Sequence, residues 1–106
     1  MIIVTGRVQT DGANRAAIEA ECVSHSRRSR TEPGCLAHNC HYDIEQPDLL
    51  VVLERWADAG ALLTHFALQE TRDFAKAIGS LSRKAPEMHI YISKEASPAA
   101  LATGAQ

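Results

Sequence analysis

Five histidines and three cysteines carry most of the chemistry available to this 106-residue chain. His65 stands out first: it precedes Phe66 and an apparent helix break at Ala67-Leu68, where two helical segments can open a pocket above a sheet. A histidine at such a place suits general-base work, because an imidazole exchanges its proton near neutral pH. The same side chain can equally well be satisfied locally at a helix end. Cys35, His38, Cys40 and His41 form the most metal-like run. On a strand, however, His38 and Cys40 share one face while Cys35 and His41 share the other, so four ligands cannot reach one ion. A site built on His38 and Cys40 needs His25 or His65 from a helix above, since zinc asks for three or four ligands. No metal is therefore expected; His38 reads as a pocket wall and Cys40 as a small buried hydrophobe. Tyr42, His89 and Tyr91 each place a polar tip on a strand face, and Glu54 and Arg55 read as solvated rim charges of little energetic weight.

The elements that must position these groups follow from periodicity. Residues 1–8 (MIIVTGRV) alternate as a strand, with Ile2, Val4 and Val8 on one side. Asp11-Gly12 makes a turn, and Asn14 is the expected cap of a helix from Arg15 to about Thr31. Its inward stripe is Ile18, Cys22 and His25, a face unusually small and polar for a core helix. The basic cluster Arg27, Arg28 and Arg30 reads as a solvated helix end, and Glu32-Pro33-Gly34 stops the helix. Cys35 to Tyr42 is a second strand with Leu36, His38, Cys40 and Tyr42 on one face, followed by a loop over 43–48 and a third strand, Leu49 to Trp56. Asp58 caps the next helical stretch, in which Leu62, Leu63, Phe66, Phe74 and Ile78 form an apolar face and Gly79 fits the position just past the end. Residues 80–86 read as a loop, Glu87 to Ser93 as a fourth strand, and residues 94–106 as a frayed tail after a domain over 1–93.

The order β-α-β-β-α-β is the ferredoxin-like arrangement, an α+β fold with a four-stranded antiparallel sheet and helices on one face. Leu49 to Leu53 (LLVVL) does not alternate, and continuous apolar runs mark strands covered on both sides. Two helices cover only one, so a second copy packed sheet to sheet is expected, giving a homodimeric α+β barrel. Composition sets the remaining bounds. Of the 45% apolar residues, seventeen are alanine, which leaves a thin core with no room for a large internal cofactor. Net charge is −2 and the pI about 6.2, so no basic field exists to hold nucleic acid or an anionic membrane. No apolar stretch has the length of a membrane span and the start shows no leader, so a cytoplasmic location is expected. Three cysteines without C-x-x-C spacing are expected to stay free thiols.

Glu32-Pro33-Gly34-Cys35-Leu36, the hairpin, Leu53-Glu54-Arg55-Trp56, and Leu62…His65…Asp73-Phe74 together resemble the antibiotic biosynthesis monooxygenase domain over roughly residues 1–93. The resemblance implies a dimeric barrel of two ferredoxin-like units. It also implies a small oxygenase that needs neither metal nor flavin and acts on an aromatic or quinol-like small molecule with dioxygen. In that setting His65 is the expected catalytic base or orienter, and His38, Leu62, Phe66, Phe74 and His25 the expected pocket lining. Relatives often carry an aromatic residue where this chain has His38. The haem-degrading branch carries an asparagine in the first strand, where this chain has Val4, Thr5, Gly6 and Arg7, so haem degradation is not expected. The alternatives are a non-catalytic dimeric small-molecule binding module of the same fold and a His/Cys metal-binding protein.

Overall fold

The computed structural model describes residues 1–104. Its elements run β1 (Ile2–Gln9), α1 (Arg15–Ser29), β2 (Cys35–Tyr42), β3 (Leu49–Trp56), α2 (Ala59–Ala67), α3 (Gln69–Leu81), β4 (Glu87–Ile92) and a short α4 (Pro98–Ala102). The strands form one antiparallel sheet in the order β2-β3-β1-β4, the ferredoxin-like α+β topology expected from the element order.

The break between α2 and α3 falls on Leu68, whose ψ of 139° is extended. Asp58 caps α2 as expected, its Oδ1 accepting from the Ala61 backbone N–H at 2.8 Å. The α1 cap is different. Asp11, not Asn14, accepts from the leading N–H groups, those of Ala13 and Asn14, while the Asn14 side chain reaches back to the Asp11 N–H and out to the Leu81 carbonyl. Asn14 thereby ties the start of α1 to the end of α3. That end lies beyond Gly79, which sits inside the helix, because Phe74, Ile78 and Leu81 pack on Val8, Ile18, Cys22 and Leu50. Their burial outweighs the roughly 1 kcal/mol that a helical glycine costs. Beyond β4, Ser97 caps the short, exposed α4 within the expected tail, whose residues 105–106 lie outside the described residues.

Cross-strand register decides which side chains share a face. Ile2 lies opposite Trp56, Val4 opposite Glu54 and Val8 opposite Leu50; across β2, His38 lies opposite Glu54 and Cys40 opposite Val52. This face lies under the helices. Ile2, Val4, Trp56 and Leu62 form a second apolar group with Phe66 and Cys35 against it. Cys35 corrects the expected alternation: a register shift between Cys35 and Ala37 sets it opposite Trp56, on the same side as His38, and leaves Leu36 exposed.

The other face has no cover within the chain. Ile3 and Val51 are half-buried there, and Leu53 and Tyr91 are 40% and 51% exposed. At the β4 edge, Met88, Ile90 and Ile92 align with Gly6, Val4 and Ile2 on the helix side, yet remain exposed because the helices stop short of that strand.

Candidate active site

Three imidazoles meet where the two apolar groups join. His25 comes from α1, His38 from β2 and His65 from the last turn of α2; all are buried, with 3%, 1% and 1% of their surface exposed. One ring nitrogen of each lies within 4.8 Å of the other two. Phe74 stacks on His25 at 3.9 Å between ring centres, and Trp56 lies 4.6 Å from His65.

Each ring is held by a polar partner at Nδ1. Glu32 Oε1 lies 2.8 Å from His65 Nδ1. Glu32 is delivered by the Glu-Pro-Gly turn, where Gly34 has φ of +81° and an added Cβ would come within 2.5 Å of Ala61 Cβ on α2. Only glycine fits there, since it alone adopts that φ without strain and lets the turn close on α2. A carboxylate only accepts, so in the neutral ring His65 Nδ1 carries the hydrogen and Nε2 keeps its lone pair. Thr71 Oγ1 adds a second polar atom at 3.4 Å.

His25 has the opposite arrangement. Arg28 donates to its Nδ1 at 2.6 Å, and a guanidinium has only donors, so the hydrogen of His25 sits on Nε2. His38 Nδ1 meets Ser26 Oγ at 2.8 Å, while its Nε2 is buried with no hydrogen-bond partner; the nearest acceptor, Glu54 Oε1 at 3.5 Å, lies off hydrogen-bonding geometry. Burial, followed by the neighbouring histidines and Arg28, lowers the pKa of His25 to about 3. Burial, then His65, Arg30 and Arg28, lowers that of His38 to about 4. Both rings are neutral at pH 7.

Two expectations about charged residues are corrected. Glu54 is not a rim charge: it is buried and accepts from Trp56 Nε1 at 3.0 Å, and burial raises its pKa against the pull of that bond. The arginine cluster is not wholly solvated either. Arg28 reaches His25, and Arg30 donates to the His38 carbonyl at 2.7 Å, leaving Arg27 as the fully solvent-directed member. Burial of Glu54 and the reach of Glu32 carry no local sequence signal. The turn chemistry of Glu32-Pro33-Gly34 was the one available pointer.

The expected lining residues separate. His25, His38 and His65 converge, and Phe74 joins them through its stack on His25. Phe66 stands 5.9 Å from His65, and Leu62 belongs to the apolar packing beneath. Two clefts flank the cluster. One of about 330 Å³ has His25, Arg28, Phe74, Glu21, Glu70 and Asp73 in its wall; the other, about 350 Å³, has Glu32 and Asp58 beside Pro33, Gly34, Ala61, Thr64 and Leu68 and exposes mainly apolar surface. Both fall in the size range of small-molecule clefts. Chemically, the cluster offers a lone pair on His65 and a ring N–H on His25, an acceptor and a donor at close quarters in a dry setting.

The family model described as antibiotic biosynthesis monooxygenase matches residues 1–77. A structure from Deinococcus radiodurans, named as a candidate member of those monooxygenases, is 27% identical; the match covers 92% of this chain and 96% of that one, with a TM-score of 0.86. A conserved protein from Methanosarcina mazei is 25% identical over 88% of this chain and 92% of its own, with a TM-score of 0.82. An uncharacterized protein of Synechocystis is 26% identical over 90 residues, and the chain spans 61% of that relative's length. No described helix is long and apolar enough to cross a membrane. With the motif order, the β2-β3-β1-β4 sheet and the match over most of its length in agreement, the chain belongs to the antibiotic biosynthesis monooxygenase family.

Proposed function

We propose that this protein is a monooxygenase of an aromatic or quinol-like small molecule that uses dioxygen without metal or flavin, with His65 as the general base. The observation that carries this reading is the 2.8 Å contact between the buried His65 Nδ1 and the partly buried Glu32, which leaves Nε2 as a fixed acceptor. Removing a phenolic or benzylic proton makes the substrate electron-rich enough to reduce dioxygen. One oxygen atom enters the product, the other leaves as water, and both reducing electrons come from the substrate. His65 takes the first proton and Glu32 stabilises the imidazolium, the role a carboxylate plays behind any catalytic histidine. The His25 Nε2–H donates to the developing oxyanion, and exclusion of water around Trp56 and Phe74 strengthens both interactions. The largely apolar cleft beside Glu32 has room for an aromatic ring, and the reaction requires it to open inward to His65, which is not in its wall.

The same reading includes a homodimer. Its support is the uncovered sheet face with Ile3, Val51, Leu53 and Tyr91, together with the exposed apolar edge of β4. A second copy laid sheet to sheet would cover the face with Ile3, Val51, Leu53 and Tyr91, and chain from that copy reaching round the β4 edge would cover Met88, Ile90 and Ile92 on the helix side.

Oxygen uptake tests the reaction. In the presence of a chelator, wild type should consume one dioxygen per hydroquinone or anthrone, and His65→Gln should lose about 100-fold or more in kcat. Full turnover in the variant would remove His65 from the mechanism. Saturable binding with no oxygen consumed would identify a binding module instead.

A further inference from the structure

We infer that His25, His38 and His65 also form a binding site for a divalent transition-metal ion of the zinc and copper class. The ligands come from α1, β2 and α2, so their approach to within 4.8 Å is a product of the whole fold and not of a local motif. A second observation points the same way: His38 Nε2 is buried without a hydrogen-bond partner, a state that is costly unless something fills the gap. Glu32 Oε2 is buried and unpartnered as well.

The donor set selects the ion. Imidazoles suit zinc, copper, nickel and iron, whereas calcium and magnesium need a cage of oxygens that is absent among the described residues here. Three nitrogens with a vacant fourth position match the open type of zinc site. Metal–nitrogen bonds of about 2.1 Å bring ligand nitrogens to about 3.4 Å from one another, so the cluster must close by about 1.4 Å. The supporting shell already exists. Glu32 behind His65 holds Nδ1 and leaves Nε2 for the ion, as outer-shell partners of metal-bound histidines do. Ser26 Oγ can do the same for His38 when it accepts the Nδ1 hydrogen, with Glu54 Oε1 3.5 Å from the Nε2 that would then bind. A dication would also offset the carboxyl groups of the partly buried Glu32 and the buried Glu54 beside the cluster.

Arg28 opposes the ion. While it donates to His25 Nδ1, the ring hydrogen stays on Nε2 and no lone pair faces the centre. Binding requires that hydrogen to move to Nδ1 and the guanidinium to withdraw, and Glu21, Glu70 and Asp73 in the same cleft wall can receive it. Arg28 is thus a guard that sets affinity. The inference uses the side chains of the proposed reaction but does not rest on it, and the two states exclude each other: an ion on His65 Nε2 occupies the lone pair that the base needs.

The test is titration of the metal-stripped full chain at pH 7 with zinc and, separately, with cobalt(II). We expect one ion per chain at about micromolar affinity, with cobalt giving visible d–d bands but no thiolate charge-transfer band, since Cys22, Cys35 and Cys40 are not ligands. His38→Phe should weaken binding by about 100-fold, while Arg28→Ala should strengthen it by about tenfold, a direction that misfolding cannot mimic. Absence of saturable binding, a thiolate band, or affinity that rises in neither protein nor falls in the first variant would overturn the site. The oxygenase reading would stand in that event, because it predicts turnover in chelator.

Discussion

Acidification from pH 7 to 4.5 should destabilise this fold through two particular side chains. In the unfolded chain His25 and His38 take protons near pH 6.5, whereas in the fold burial lowers them to about 3 and about 4. Between these limits the unfolded state binds up to two more protons, so stability falls as pH falls. The contribution is complete above pH 6.5 and is lost progressively toward pH 4 and below. At pH 4.5 each ring is two units below its unfolded value, and at about 1.4 kcal/mol per unit the pair removes about 5 kcal/mol at most. That rivals the whole stability of a small domain, which is about 5–15 kcal/mol. Glu54 acts in the other direction: its raised pKa favours the fold in acid, and that contribution is lost as pH rises through the folded value, so it offsets part of the slope. Urea midpoints at pH 7 and pH 4.5 for wild type and His25→Gln read the effect. Glutamine does not titrate, and whatever packing it disturbs is disturbed at both pH values. The variant should therefore lose about 2–3 kcal/mol less than wild type between them. Parallel losses in the two proteins would refute the assignment of His25 as a buried neutral ring.

Two glycines should respond in opposite ways. Gly34→Ala meets both a φ of +81° and the Ala61 Cβ at 2.5 Å, so it should cost about 2–4 kcal/mol and lower Tm by roughly 10 °C or more in a thermal melt. Gly79→Ala sits in the last turn of α3 in open space and should raise stability by up to about 1 kcal/mol in the same melt; a loss there would mean that α3 does not run through to Leu81. Leu53→Lys places a charge on the uncovered sheet face and should convert a dimer near twice 11.5 kDa into a folded single chain by sedimentation. A variant that sediments like wild type would show that this face is not the contact.

Much of the architecture was legible because it is written in local patterns. The period-2 run of Ile2, Val4 and Val8, the Asp58 cap, the break at Leu68 and the stripe of Ile18, Cys22 and His25 all depend on neighbours a few residues away. The convergence of His25 and His38 with His65 was legible only as an option, since a helix stripe and a strand face do not reveal what stands opposite. The remainder depends on how the fold closes over a side chain, even where the immediate partner is only two or three residues away. Glu54 looks like a rim charge until Trp56 and His38 enclose it. Arg28 looks solvated until His25 lies 2.6 Å from it. The shift at Leu36 turned Cys35 to the helix side, and a one-residue irregularity of this kind reverses any argument from alternation. The extension of α3 past Gly79 was hidden for the same reason, because Leu81 finds its partners on another helix and strand.

In the proposed reaction His65, oriented by Glu32, removes the proton that makes the substrate able to react with dioxygen. Mixing the protein with anthrone in the absence of oxygen isolates that step, since the conjugated anion absorbs at longer wavelength than the neutral molecule. Wild type should develop the anion band on mixing, Glu32→Gln should do so about 10–100-fold more slowly, and His65→Gln should show none. A band of equal rate and height in His65→Gln would show that His65 is not the base.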